Sequence, residues 1–179
     1  MEKQKIIQLY KTLGANLISQ GQLFLRKAFH VKLTQTITSD YLKSFLTNLG
    51  IPRINIYCAD KKYMIIDWEV MRDIIAFSWV DREKYLSDNF DCDDYANAFK
   101  SHLAEVYKVN SVALSKGVKV YIPSKDKEAY HRCNLILATK NGVLKAFVFE
   151  AQNDGYQELQ KDVPIKIGDW DYKMNRFEF

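Results

Sequence analysis

Near the middle of the chain, "YHRCNLILATKNGVLKAFVFEAQ" runs from Tyr130 to Gln152. It places Asn141-Gly142 between two apolar segments rich in β-branched and aromatic residues. A two-residue hairpin turn of this kind needs positive φ at both central positions, which Asn and Gly tolerate best, so the dipeptide is a strong local signal for paired antiparallel strands. The turn also sets the register. Lys140 faces Val143, and counting outward brings Glu150 opposite Cys133 and Gln152 opposite His131. Glu150 is then the diagonal, same-face neighbour of His131. A carboxylate after Phe147-Val148-Phe149 needs a partner if the strand is buried.

Other segments supply helices. Ile6, Ile7, Leu9, Tyr10, Leu13, Leu17 and Ile18 recur at helical spacing, and Leu23–Phe29 continues the pattern past Gly21. "TSDYLKSFLTNLG" is a short amphipathic helix with Ser39 or Asp40 as its cap and Gly50 at its end. "INIYCADKKYMII" reads as two short strands around "ADKK", and Asp67 caps "WEVMRDIIAF". One long helix is predicted over 92–107. It is followed by β-rich sequence: "SVALSKGVKVYI", the hairpin, and "VPIKI" near the end. Helices followed by antiparallel strands imply an α+β fold with helices on one side of a sheet. No linker divides the chain, so residues 1–62 read as a helical N-terminal lobe on a core of residues 63–179.

Composition narrows the function classes. The 179 residues are 47% hydrophobic and 27% charged, which is a globular rather than a disordered profile. The net charge of +4 is scattered, without the dense basic block that nucleic-acid binding favours. Three cysteines make a disulfide framework unexpected and a reduced, cytoplasmic setting the expectation. Polar residues interrupt the N-terminal segment too early for a signal peptide or membrane span, so no membrane partner is expected.

The chemistry concentrates in "DCDDYANAF". Asp91 is a good N-cap and Asp94 stands where a capping box places its acid. Cys92 falls in the first turn, on the apolar face shared with Tyr95, Ala96 and Phe99. There the free N–H groups and the helix dipole favour a thiolate. A lone cysteine on such a face is ordinarily a small core residue. Joined to His131 and Glu150, it makes a nucleophile, base and orienter series.

At these residues the sequence resembles the transglutaminase-like and papain-like cysteine-protease superfamily. The likeness is to bacterial transglutaminase-like cysteine peptidases and to the protease-like C-terminal domain of a fungal agglutinin. "DCDDYANAF" matches an acidic cysteine motif opening a long helix, "HRCN" stands at the histidine strand, and "FEAQND" at the acid strand. Arg132 replaces a small residue and Ala151 a proline. The resemblance covers roughly residues 63–155. It implies a papain/transglutaminase-like core, with a long Cys-bearing helix packed on an antiparallel sheet. It implies Cys92 as nucleophile, His131 as general base and acid, and Glu150 as orienter, with Asn134 and Gln152 in support. The activity implied is that of a cysteine hydrolase, a peptidase working on a protein or peptide substrate through a thioester acyl-enzyme. An acyltransferase with the same triad is a variant of it.

Three carboxylates beside a thiol oppose its ionisation, each by roughly 1 kcal/mol at intermediate distance and dielectric. They either cap the helix or gather a hard cation; the resemblance implies Ca²⁺ at Asp91 and Asp93. The rival reading, from another class, is a non-catalytic binding or interaction protein on the same scaffold, for example a partner-protein inhibitor. Arg132 and the unplaced first sixty residues favour it.

Overall fold

The computed structural model describes residues 2–86, 90–174 and 176–179, with side chains from residue 11 onward. The apolar positions expected at Ile6, Ile7, Leu9 and Tyr10 lie outside those described side chains.

The Asn-Gly hairpin forms in the predicted register. Strand β7 (Asn134–Lys140) pairs antiparallel with β8 (Val143–Glu150), Lys140 against Val143 and Asn134 against Phe149. Asn141 and Gly142 carry φ of 53° and 76°. Both strands are apolar on both faces. Leu135, Leu137, Ala146 and Val148 belong to one buried cluster, while Ile136, Ala138, Phe147 and Phe149 belong to another. A sheet buried on both sides needs a cover on each.

One cover is helical. α3 (Trp68–Phe77) starts at Asp67, whose side chain accepts the Glu69 N–H at 2.8 Å. It lays Met71, Ile74 and Ile75 onto the Ile136–Phe149 face. Trp68 stacks on Phe147 with ring centroids 3.6 Å apart. Beside it, α4 (Cys92–His102) adds Tyr95 and Phe99, then widens into a π-helical turn over Leu103–Tyr107. Among the described side chains, the N-terminal helix α1 (Glu2–Ala28) reaches this cluster through Leu25 and the following Phe29, whose ring contacts Phe77 and Tyr107.

The opposite cover is largely β. β5 (Val118–Ile122) and β6 (Lys127–His131) join β10 (Ile165–Ile167) and β11 (Trp170–Lys173) in a four-stranded sheet ordered β10-β11-β5-β6. Helix α2 (Ser39–Asn48), capped by Thr38 rather than by Ser39 or Asp40, completes this side with Leu42 and Leu46. The central sheet has six strands. β7 and β8 are flanked by β4 (Val112–Lys116) and β9 (Gly155–Glu158), and beyond β4 lie β12 (Arg176–Glu178) and β2 (Ile56–Tyr57). A two-stranded sheet pairs β1 (Leu33–Thr38) with β3 (Lys62–Ile66).

Two expectations are corrected, and another, the β-rich reading of one segment, is made finer. The architecture is α+β, but the twelve strands among the described residues are divided among three sheets; a papain-like core of one long Cys-bearing helix on a single antiparallel sheet is not what forms. The physical reason is the two-sided apolar character of β7 and β8, which calls for a second sheet on the face opposite the helices. Second, "SVALSKGVKVYI" is two strands in different sheets, broken at Gly117 with φ 64°. Third, the strands around "ADKK" do not pair with each other; β2 runs parallel to β12 and β3 antiparallel to β1.

Candidate functional site

The site lies where the two larger sheets part. His131 ends β6 in the four-stranded sheet, paired with Val118, and the chain crosses to the six-stranded sheet within Arg132-Cys133 before β7 begins. His131 and Cys133 therefore do not share one strand, and His131 does not face Gln152 in a ladder. Glu150 ends β8 and still reaches His131. The side chains of both are nearly inaccessible, 5% and 3% exposed, and the imidazole Nε2 hydrogen-bonds the Glu150 carboxylate. Tyr172 Oη donates to the same Oε2 at 3.0 Å, and the Gln152 N–H donates to Oε1 at 3.2 Å. With three partners, the buried carboxylate is well satisfied.

The Cys92 side chain shares the cleft with His131 and favours its charged form. Burial works against a charged imidazole, but the Cys92 side chain and the hydrogen bond and charge of Glu150 outweigh it, and the pKa is pushed up to about 9. The ring is thus an imidazolium at neutral pH. Edges of Trp170 and Tyr172 hold it from the side, with centroids at 5.3 and 5.9 Å. Burial, then the nearby Glu150 charge, push the Tyr172 hydroxyl far above the usual phenol range, so it serves only as a donor.

Cys92 is half-buried at the mouth of α4. The acids around it have identifiable tasks. Asp91 Oδ1 accepts the Asp93 N–H at 3.2 Å, and Asp94 Oδ2 accepts the Asp91 N–H at 3.2 Å, a reciprocal capping box. Asp93 points to Arg132, whose Nη1 lies 3.4 Å from Oδ2. A hydrogen bond with Asp91, partial burial and the Asp91 charge raise the Asp93 pKa against the pull of Arg132. One ligand atom from each of Asp91, Cys92 and Asp93 falls within 4.8 Å of the others. Capping accounts for Asp91 and Asp94, and the Arg132 pair for Asp93.

Asn134 is fully buried behind the site. Its Nδ2 donates to Ala96 O at 3.0 Å and Ala113 O at 3.3 Å, tying α4 to β4 and β7. Cys133 is fully buried and packs in the core; its N–H donates to Ser115 Oγ at 2.8 Å. The cleft over the site measures about 190 Å³ and is lined by Cys92, Asp93, Gly117, Tyr130, His131 and Arg132. Tyr130 projects from its rim, 78% exposed.

The structure thus brings Cys92, His131 and Glu150 together, with Asn134 and Gln152 adjacent and Asp91 and Asp93 at the helix mouth. Sequence reasoning missed Trp170 and Tyr172, which arrive from β11. It also missed Gly117 and Tyr130; the one available signal was the glycine interrupting an otherwise continuous β pattern.

No family model matches the chain, and no curated protein matches it in sequence. Solved structures do. A complex of PSL1a with E64 superposes with a TM-score of 0.54 at 22% identity, covering 80% of this chain and 50% of that one. Polyporus squamosus lectin, bound to the human-type influenza-binding epitope Neu5Acα2-6Galβ1-4GlcNAc, gives a TM-score of 0.57 at 19% identity, covering 80% and 49%. The chain spans about half the length of these neighbours, and at such identities the likeness is one of fold.

These findings correct the resemblance read from the motifs. The neighbours are a lectin, not transglutaminase-like or papain-like peptidases, and they offer no support for a cysteine hydrolase, a thiol protease or a calcium requirement. The physical reason for the misreading is the brevity of the motif. A capped helix carrying Cys, followed by strands carrying His and Glu, specifies a local juxtaposition and not a reaction. Among the described residues no helix is long and apolar enough to cross a membrane.

Proposed function

We propose that this chain is a binding protein whose recognition surface is the rim of the Cys92 cleft, and that it takes a polar, saccharide-like ligand. The observation that carries this reading is the composition of the rim, set on a fold shared with a lectin. Tyr130 offers an exposed ring face, which packs on the apolar face of a sugar. Arg132 and Asp93 offer a donor and an acceptor, each still partly open to solvent. Convergent polar groups beside an aromatic platform are what orient a small polar ligand.

In this reading Cys92, His131 and Glu150 form the fixed floor beneath the recognition rim. Glu150 and Tyr172 fix the imidazolium, and Cys92 shares the cleft with it. The opening of about 190 Å³ suits one or two ring substituents rather than an extended chain threaded through the protein.

Isothermal calorimetry with Neu5Acα2-6Galβ1-4GlcNAc and its asialo counterpart tests this. Binding of one or both is expected, weakened at least tenfold in Tyr130→Ala, which removes one aromatic platform. No heat with either sugar at millimolar concentration overturns the reading, as does binding that Tyr130→Ala leaves intact.

A further inference from the structure

A larger cavity lies elsewhere, beside Lys100 of α4. It measures about 650 Å³ and opens between α2, the β2 edge of the central sheet and the last residues of the chain. Its apolar walls include Ile54, Ile56, Leu114 and Phe179, and three cationic side chains, Lys43, Arg53 and Lys100, face it.

The cations are unequally partnered. Arg53 is engaged, Nη2 on Asp40 at 2.9 Å and Nη1 on Ser44 Oγ at 3.3 Å. The one acid on the lining, Glu178, is engaged too, by Lys116 at 2.7 Å and Arg176 at 3.1 Å. Lys43 forms no ion pair among the described residues. Lys100 is half-buried, and its ammonium has one neutral partner, the Glu178 carbonyl, at 3.0 Å. Burial pulls its pKa down, with Glu178 and Asp60 opposing from a distance. Asp60 itself accepts from Asn110 Nδ2 at 2.8 Å. A half-buried ammonium with two donors to spare, facing an apolar cavity and lacking an anion, is an incomplete charge arrangement.

We propose that this cavity is a second binding site, for a monocarboxylate with an apolar body, the carboxylate bridging Lys100 and Lys43 and the body lying along Ile56, Leu114 and Phe179. Two lysines, with the only arginine fork already occupied, favour a single point-like anion over a phosphate that a free guanidinium would grip bidentately. The volume falls within the usual range for small-molecule pockets. This site is independent of the cleft at Cys92, since the two linings have no residue in common.

Cys58 also lines the cavity and is half-buried, with its thiol held protonated above the usual range by burial. It therefore reports occupancy. Calorimetry with decanoate and with decanol, on the full chain and on Lys100→Met and Lys43→Met, tests the proposal. Decanoate is expected to bind at least tenfold more tightly than decanol. Each lysine variant should lose most of that preference, and bound decanoate should slow alkylation of Cys58 without slowing alkylation of Cys92. Because Lys100→Met removes a half-buried hydrogen bond, Lys43→Met, which breaks no ion pair among the described residues, guards against simple misfolding. The proposal is overturned if decanoate fails to bind, if decanol binds as well, if both variants bind as tightly as the parent, or if Cys58 is unprotected.

Discussion

Replacing Glu150 by Gln tests the electrostatics of the site most cleanly. The substitution keeps the shape and a hydrogen-bonding end but removes the charge that faces His131. In the folded protein the imidazole binds its proton with a pKa of about 9, against 6.5 ordinarily. A proton held more tightly in the folded state stabilises it wherever that proton is bound. The contribution is whole below pH 6.5 and disappears as pH rises through about 9. At 1.36 kcal/mol per pKa unit the shift corresponds to about 3 kcal/mol of stability lost across that window. With its side chain only 5% exposed, His131 is little screened by solvent. Urea unfolding at a series of pH values measures this directly. The parent should lose roughly 3 kcal/mol between the two ends, and Glu150→Gln about 1 kcal/mol or less, the part that Cys92 contributes. The two proteins differ at this one residue, so the difference between their curves isolates the contribution of the Glu150 charge. Parallel stability curves for the two proteins would refute the claim that Glu150 holds the imidazole charged.

Further outcomes follow from the same geometry. Asp91→Ala removes one half of the capping box and should cost about 1 kcal/mol in urea unfolding at neutral pH; no change would mean that the cap contributes nothing. Phe147→Ala empties the stacking position under Trp68 and should cost about 3–5 kcal/mol, with a cost below about 1 kcal/mol contradicting the two-sided core. If Asp91 and Asp93 serve the helix and Arg132 alone, millimolar Ca²⁺ should leave the melting temperature unchanged; a rise that disappears in Asp93→Asn would assign them a cation instead.

What was legible in the sequence was what local chemistry dictates. Asn141-Gly142 determined the β7–β8 register because few dipeptides tolerate that turn. Asp67 and Asp91 announced helix starts because an N-terminus needs acceptors for its free N–H groups. The register puts Glu150 near His131, and the two do meet, but by another route: His131 ends β6 in the neighbouring sheet and reaches Glu150 across the crossover. The division into three sheets was hidden, because strand partners far apart in the chain leave no local trace: β2 goes to β12 and β3 to β1, though they are neighbours in sequence. The run "LILA" carries the clue, an apolar strand without alternation, which is the mark of a sheet covered on both faces. Trp170 and Tyr172 were invisible for the same reason, since their role depends on β11 docking beside β5. The motif around Cys92 misled on function because its acids are explained by capping, and a thiol beside an imidazole is compatible with recognition as well as with chemistry.

The most direct test of the central claim, that this cleft binds without covalent chemistry, is the affinity of Cys92→Ala for a ligand that binds the parent, measured by calorimetry on both proteins. The account predicts a dissociation constant within a few-fold of the parent's, because Tyr130, Arg132 and Asp93 remain in place. Complete loss of binding in Cys92→Ala, with the fold intact by circular dichroism, would contradict it.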